Sequence, residues 1–225
     1  MADVAKNNFI YMLVALLVFL LAQPIALDAG LLPPAIARLV ASLCLFLIGI
    51  WSLRGMGKWF APGLTLAAIG VSLGIATLVI GEPRYQLAII LSLMGFLGLS
   101  AVAAIRQVLF YLHNGTNRLT GALCVYLLLG TIWSLAYELV EFLAPGSFNI
   151  AAVGIPQDHS TQWLYYSFVT LTTLGYGDIT PISNTARVLT YTEAIVGVSY
   201  LAVMVAGLVG AHVAEESARD RKGDR

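Results

Sequence analysis

The residues with the clearest chemical consequence are Thr172-Thr173-Leu174-Gly175-Tyr176-Gly177-Asp178, which follow a tyrosine pair, Tyr165 and Tyr166, and precede a long apolar run. A cation that leaves water needs its hydration oxygens replaced at similar distance and strength. Backbone carbonyls do this when several point inward in consecutive rings. A backbone of that shape requires unusual dihedrals, which glycine adopts cheaply, and Gly175 and Gly177 supply them. Thr173 can add a hydroxyl at the inner end, and Tyr176 can turn away and pack the loop against its surroundings. One loop builds only one wall. Closed rings need four copies, so the sequence predicts a symmetric homotetramer.

The elements that must hold such a loop lie in a very apolar chain. Of 225 residues, 59% are hydrophobic and 11% charged, where a soluble domain carries roughly a quarter charged residues. The deficit implies that lipid covers most of the surface. A spanning helix needs about 20 mostly apolar residues. Six runs qualify: Asn8 to Leu27, Pro34 to Leu53, Ala61 to Ile80, Gln86 to Leu109, Leu119 to Leu143 and Asn184 to Val213. A seventh piece, Trp163 to Leu171, is too short to cross and reads as a re-entrant helix. Non-helical backbone at membrane depth must be buried in protein or line a watery cavity, so the Gly-Tyr-Gly after it is expected to line something wet. The fold class is therefore an all-α membrane protein with six spans, a re-entrant pore helix and a filter loop. Its expected units are 1–115, a four-helix membrane domain; 116–214, a pore domain; and 215–225, a short tail. The first run is long for a signal peptide, with Lys6 its only upstream basic residue, and uncleaved membrane insertion is expected.

Basic residues set the orientation. With both termini cytoplasmic, Lys6, Arg54, Lys58, Arg106, Arg118, Arg219, Arg221, Lys222 and Arg225 lie inside, and Arg38, Arg84 and Arg187 outside. That bias favours a multi-pass protein of the cell (plasma or inner) membrane whose Gly-Tyr-Gly loop opens outward, flanked by Glu141, Asp158 and Asp178. The zero net charge suggests no nucleic-acid partner. Cys44 and Cys124 lie deep in apolar runs and read as small hydrophobes, without a disulfide framework. No nucleophile–base set, metal cluster or phosphate loop is present, so an enzyme is not expected.

The stretch Leu164-Tyr165-Tyr166-Ser167-Phe168-Val169-Thr170-Leu171-Thr172-Thr173-Leu174-Gly175-Tyr176-Gly177-Asp178 resembles the pore region of the tetrameric potassium channels. The resemblance covers about Leu119 to Val213. It implies passive, selective conduction of potassium ions, held by Thr173, Leu174, Gly175, Tyr176 and Gly177, with no cofactor beyond the ions. Tyr165 and Tyr166 match an aromatic pair that is usually Trp-Trp in voltage-gated members and braces the filter; taken alone, such a pair would read as an interfacial belt. Leu174 replaces the usual Val, and Val169 stands where some bacterial relatives carry a buried Glu. Pro181 falls in the outer turn, and Arg187 at the start of the last helix. Gly197 lies where the family often has a hinge glycine, with Gly207 and Gly210 as second candidates; close helix packing explains such glycines equally well.

Two acids need partners at membrane depth. For Glu193 the sequence leaves two readings open: a bond to hydroxyls behind the filter, such as Thr170 or Thr172, or a protonated acid tying two helices together. Glu138 resembles a Glu that holds the start of the last helix; the alternative is a solvated helix end. Asp178 is expected to control the filter through an aromatic or acidic partner. His113 and His159 read as solvated loop residues.

Six spans suggest a voltage-gated layout, but the chemistry does not follow. The run Leu87 to Ala104 holds no charge, and Arg106 lies near the inner end of the fourth span. Arg106 to Arg118 is either a coupling helix or a plain connector. A regulatory domain would have to come from a separate subunit. The expectation is a potassium-selective channel without conventional voltage gating. The alternatives are a non-conducting regulatory subunit and a potassium-uptake transporter subunit, although the latter carries four degraded loops in one chain. The gating stimulus is not legible.

Overall fold

The computed structural model describes residues 8–31, 33–53, 60–80, 84–110, 115–150 and 159–223. Seven helices follow one another: α1 (Asn8–Asp28), α2 (Pro34–Leu53), α3 (Phe60–Ile80), α4 (Arg84–Phe110), α5 (Gly115–Leu143), α6 (His159–Leu171) and α7 (Asn184–Gly223). A short antiparallel pair, β1 (Phe148–Ile150) and β2 (Ile179–Pro181), joins the segments before and after the filter loop, in the register Phe148↔Pro181 and Ile150↔Ile179.

Among the described residues, five helices are long and apolar enough to cross a bilayer, lying at Phe9–Leu27, Phe60–Thr77, Tyr85–Val108, Arg118–Leu143 and Asn184–Gly207. The second expected span, Pro34 to Leu53, is the helix α2 of 20 residues, with its described apolar stretch at Leu39–Ile50. The last helix differs from expectation. It runs on to Gly223, so most of the tail assigned to 215–225 continues α7 rather than forming a separate segment. No proline interrupts Asn184–Gly223, and the residues after Val213 are good helix formers such as Ala, Glu, Arg and Lys. Lys6, Arg54, Lys58, His113, Asp158 and Arg225, placed by the sequence, lie outside the described residues.

One apolar cluster joins α1, α2 and α4 to α5, with Leu16, Phe46, Phe96, Leu97, Val125 and Leu128 at its centre and Phe46 edge-on to Phe96 at 5.0 Å. Of the first four helices, α1 and α4 pack directly on α5 of the same chain, and α2 and α3 pack against them. Cys124 donates to Phe9 O in this contact, and both cysteines are free thiols. A second cluster sits at the outer end. It comprises Tyr137 of α5, Phe148 of β1, Trp163 and Tyr166 of α6, Ile179 of β2 and Ala186 of α7. This second cluster flanks the loop at 172–178.

Candidate functional site

The loop begins as the C-terminal cap of α6. Thr173 N–H donates to Thr170 O at 2.9 Å and Leu174 N–H to Val169 O at 2.9 Å, with Gly175 N–H also directed at Val169 O at 3.4 Å. This pairing satisfies orphan helix carbonyls in the Schellman manner, which needs a left-handed residue just past the helix. That residue is Thr173, at φ 59°. A β-branched residue in this region is a conformational outlier, and such strain is held only where surroundings over-determine it. Gly175 (φ 57°) and Gly177 (φ 80°) repeat the left-handed conformation, while Leu174 and Tyr176 do not. Alternation of handedness turns successive amides to one side and successive carbonyls to the other. The amides of Thr173, Leu174 and Gly175 are thus all engaged by α6. Leu174 and Tyr176 remain 56% and 67% exposed in the single chain.

The outer end of the loop is tied by side chains. Tyr165 OH donates to Asp178 Oδ2 at 2.6 Å, and Ile179 N–H donates to Asp178 Oδ1 at 3.1 Å. The carboxylate acceptor holds the Tyr165 phenol proton, pushing its pKa up to about 12. Tyr166 reaches Thr190 Oγ1 of α7 at 2.9 Å. Thr190 spends its one hydrogen on Ala186 O at 2.8 Å, so Tyr166 is the donor. The Tyr166 ring also stacks edge-on to Tyr137 at 4.7 Å. Thr172 turns its hydroxyl back onto Phe168 O at 2.6 Å.

Glu193 is wholly buried. Its partners are Ser167 Oγ, 2.5 Å from Oε1, and Tyr137 OH at Oε2, rather than Thr170 or Thr172. The hydroxyl of Thr172 is committed to its own helix, and the carboxyl on α7 lies level with the middle of α6 instead of its end. Glu138 accepts from Gln86 Nε2 of α4 at 3.3 Å. The last helix is attached to α5 and the outer loop by groups that the sequence reading did not single out for this task. Trp133 Nε1 donates to Leu189 O at 3.3 Å, and Ile182 N–H donates to Ser147 O at 2.8 Å. Glu141, read from sequence only as a flanking acid, accepts from the amides of Gly146 (2.8 Å) and Phe148 (3.3 Å) and so shapes that outer turn. Arg187 Nε donates to Pro181 O at 3.4 Å.

Of the three hinge candidates, Gly197 has a packing role. A Cβ there would stand 2.2 Å from Leu171 O, the last carbonyl of α6, whereas Gly207 and Gly210 meet nothing within 4 Å. The same carbonyl accepts from Tyr126 OH at 3.3 Å, and one turn below Gly197, Tyr200 OH donates to Ala122 O at 2.7 Å. The two rings lie 5.7 Å apart. Tyr126 and Tyr200 were missed in the sequence. The available signal was a phenol inside an apolar run, which must find a hydrogen-bond partner when buried.

Residues 121–212 match the family described as ion channel. That segment covers most of α5, all of α6 and the loop, and the first two-thirds of α7. A 65-residue segment is 34% identical to the two pore potassium channel c of Oryza sativa subsp. japonica, covering 29% of this chain and 14% of that protein. A 94-residue segment is 32% identical to the two-pore potassium channel 2 of Arabidopsis thaliana, covering 41% of this chain and 18% of that protein. The matched segments span less than a fifth of these relatives' lengths.

Proposed function

We propose, from the match of residues 121–212 to the ion channel family and the partial likeness to two-pore potassium channels, that this multi-pass, non-enzymatic membrane protein belongs to the potassium channels and forms a potassium-selective pore from four identical chains. The observation that carries this reading is the left-handed backbone at Thr173, Gly175 and Gly177, with the amides of Thr173, Leu174 and Gly175 turned back onto α6. The carbonyls of Thr173, Leu174, Gly175 and Tyr176 replace the hydration shell of the ion, and Gly177 closes the row. The negative end of the α6 dipole lies at the inner end of this row and favours a cation there by about 0.3–1 kcal/mol. The relatives are named for two pores, whereas this sequence carries one Gly-Tyr-Gly, so four copies complete the rings. The exposure of Leu174 and Tyr176, and of Val188, Ile195 and Val198 on α7, supports their burial against neighbouring chains. Both termini and α7's last turns are cytoplasmic in this reading, with α2 among the six spans.

Purified protein in liposomes under a potassium gradient tests the proposal. Flux that is blocked by barium and absent for sodium is expected. Equal sodium and potassium flux would refute selectivity, and no flux under any stimulus would favour a regulatory subunit. Steep voltage dependence is not expected. Each charge moved through the field contributes roughly 2.3 kcal/mol per 100 mV, and α4 has no charged residue between Arg84 and Arg106. A conductance–voltage relation carrying several charges per channel would contradict this.

The Tyr165–Asp178 bond is proposed to keep the outer filter from collapsing. Tyr165→Phe removes one charge-assisted hydrogen bond, of net value about 1.5–3 kcal/mol, and leaves the ring in place. Faster loss of current during sustained opening is expected, with potassium-over-sodium selectivity initially intact. Unchanged decay of current would remove Tyr165 from the support.

A further inference from the structure

The hydrogen bonds around Glu193 count out to one proton more than a carboxylate can supply. Ser167 Oγ lies 2.5 Å from Glu193 Oε1 and 2.7 Å from Gly130 O. A serine hydroxyl has a single hydrogen, a carbonyl oxygen only accepts, and an ionised carboxylate also only accepts. With Glu193 ionised, one of these two short contacts would set lone pair against lone pair. Tyr137 OH is no help, because its one hydrogen is directed at Glu193 Oε2. A proton on Oε1 completes the set. Tyr137 donates to Oε2, Oε1–H donates to Ser167 Oγ, and Ser167 donates to Gly130 O. Every hydrogen then has one acceptor, and 2.5 Å is within the range of an O–H···O bond. Burial agrees with the count. Glu193, Ser167 and Tyr137 are all fully enclosed, and the carboxyl's partners among the described residues are two hydroxyls, neither of them basic. An ionised carboxylate taken out of water needs a cation or several donors.

We infer that Glu193 is a neutral carboxylic acid, and that the relay Tyr137–Glu193–Ser167–Gly130 is a positioning element that locks α6 between α5 and α7. The relay leaves α5 at Tyr137, crosses α7 at Glu193, passes through α6 at Ser167 and returns to α5 at Gly130. Ser167 is one turn before Leu171, so the relay sets the height and rotation of the helix whose last carbonyls receive the loop amides. It does this without placing four negative charges behind the rings. The consequence for flux rests on the pore reading above; the protonation state does not.

The test uses the full-length protein and two readouts. In the infrared difference between wild type and Glu193→Gln, a carboxylic-acid C=O band that shifts on deuteration should be present in wild type and lost in the variant. Loss of carboxylate bands instead would overturn the inference. In liposomes, Glu193→Gln should keep selective flux within a factor of about two, because its amide oxygen accepts from Tyr137 and its NH2 donates to Ser167, replacing hydrogen bonds worth about 1 kcal/mol each. Glu193→Ala, which removes both, should lose it. Equal loss of flux in the two variants would overturn the neutral relay. Should Glu193→Gln not fold, Ser167→Ala serves for the infrared arm: loss of its acceptor should move the acid band to higher frequency, and an unmoved band refutes the relay. A wild type that carries no potassium flux would sink the pore reading, while the infrared band would still decide the charge on Glu193.

Discussion

Gly197→Ala should abolish potassium flux. The added methyl would stand 2.2 Å from Leu171 O and 3.1 Å from Leu171 C. These are main-chain atoms at the end of α6, so no flexible side chain can yield, and either α7 must move outward or the base of the filter must shift. Overpacking of this kind costs about 1–3 kcal/mol per site, hence about 4–12 kcal/mol over four chains. Both responses act on the carbonyl row, because Leu171 is one residue from Thr172 and its carbonyl is also tied to Tyr126. The expected readout is loss of flux with a weakened tetramer on size-exclusion chromatography. Gly207→Ala and Gly210→Ala provide the contrast. Nothing lies within 4 Å of a Cβ at either position, so these variants should assemble, and any change they cause in opening reports bending of α7 rather than packing. Wild-type flux from Gly197→Ala would mean that the α6–α7 approach seen here is absent from the conducting state.

Gly177→Ala should remove discrimination between potassium and sodium. Within the chain no atom lies within 4 Å of a methyl at this position, so inside one chain the effect is one of backbone conformation. At φ 80° an L-residue is disfavoured by about 1–2 kcal/mol, or about 4–8 kcal/mol for four chains acting on one ring. The peptide after Gly177 would relax toward negative φ and turn its carbonyl out of the row. A D-alanine introduced at 177 by semisynthesis adds the same methyl with the mirror-image preference and should restore selectivity. If L-alanine and D-alanine behave alike, the left-handed backbone is not what the site requires. Thr173 marks the limit of the argument, since it is an L-residue held at φ 59°. There the hydrogen bonds from the Thr173 and Leu174 amides to the end of α6 offset the strain.

Much of the architecture was legible because it rests on local pattern. Apolar runs of spanning length, broken by charged or Gly/Pro-containing turns, located α1 to α5 to within a few residues and the start of α7, and a run too short to span located α6. The continuation of α7 to Gly223 was obscured because hydropathy reports where lipid ends, whereas a helix ends only where its hydrogen-bond ladder does. The β1–β2 pair was invisible for a different reason. Three-residue strands on either side of a 13-residue helix show no periodicity, and their pairing depends on that helix bringing them together.

The site divides along the same line. The sequence by itself determined the expected loop conformation: two glycines in alternate positions behind a short apolar helix predict an unusual backbone, and both adopt a left-handed φ. It also determined that Glu193 needs a partner at depth. Only the tertiary structure decided which partner. Ser167 and Tyr137 meet Glu193, and Gly130 meets Ser167, through the packing of three helices, and their separations in the chain carry no periodic signal. The same holds for Gly197, where a glycine that bends and a glycine that permits contact are spelled identically, and only the distance to Leu171 O tells them apart. Thr173 is the sharpest case. Its residue type argues against a left-handed backbone, and the hydrogen bonds at the end of α6 impose one.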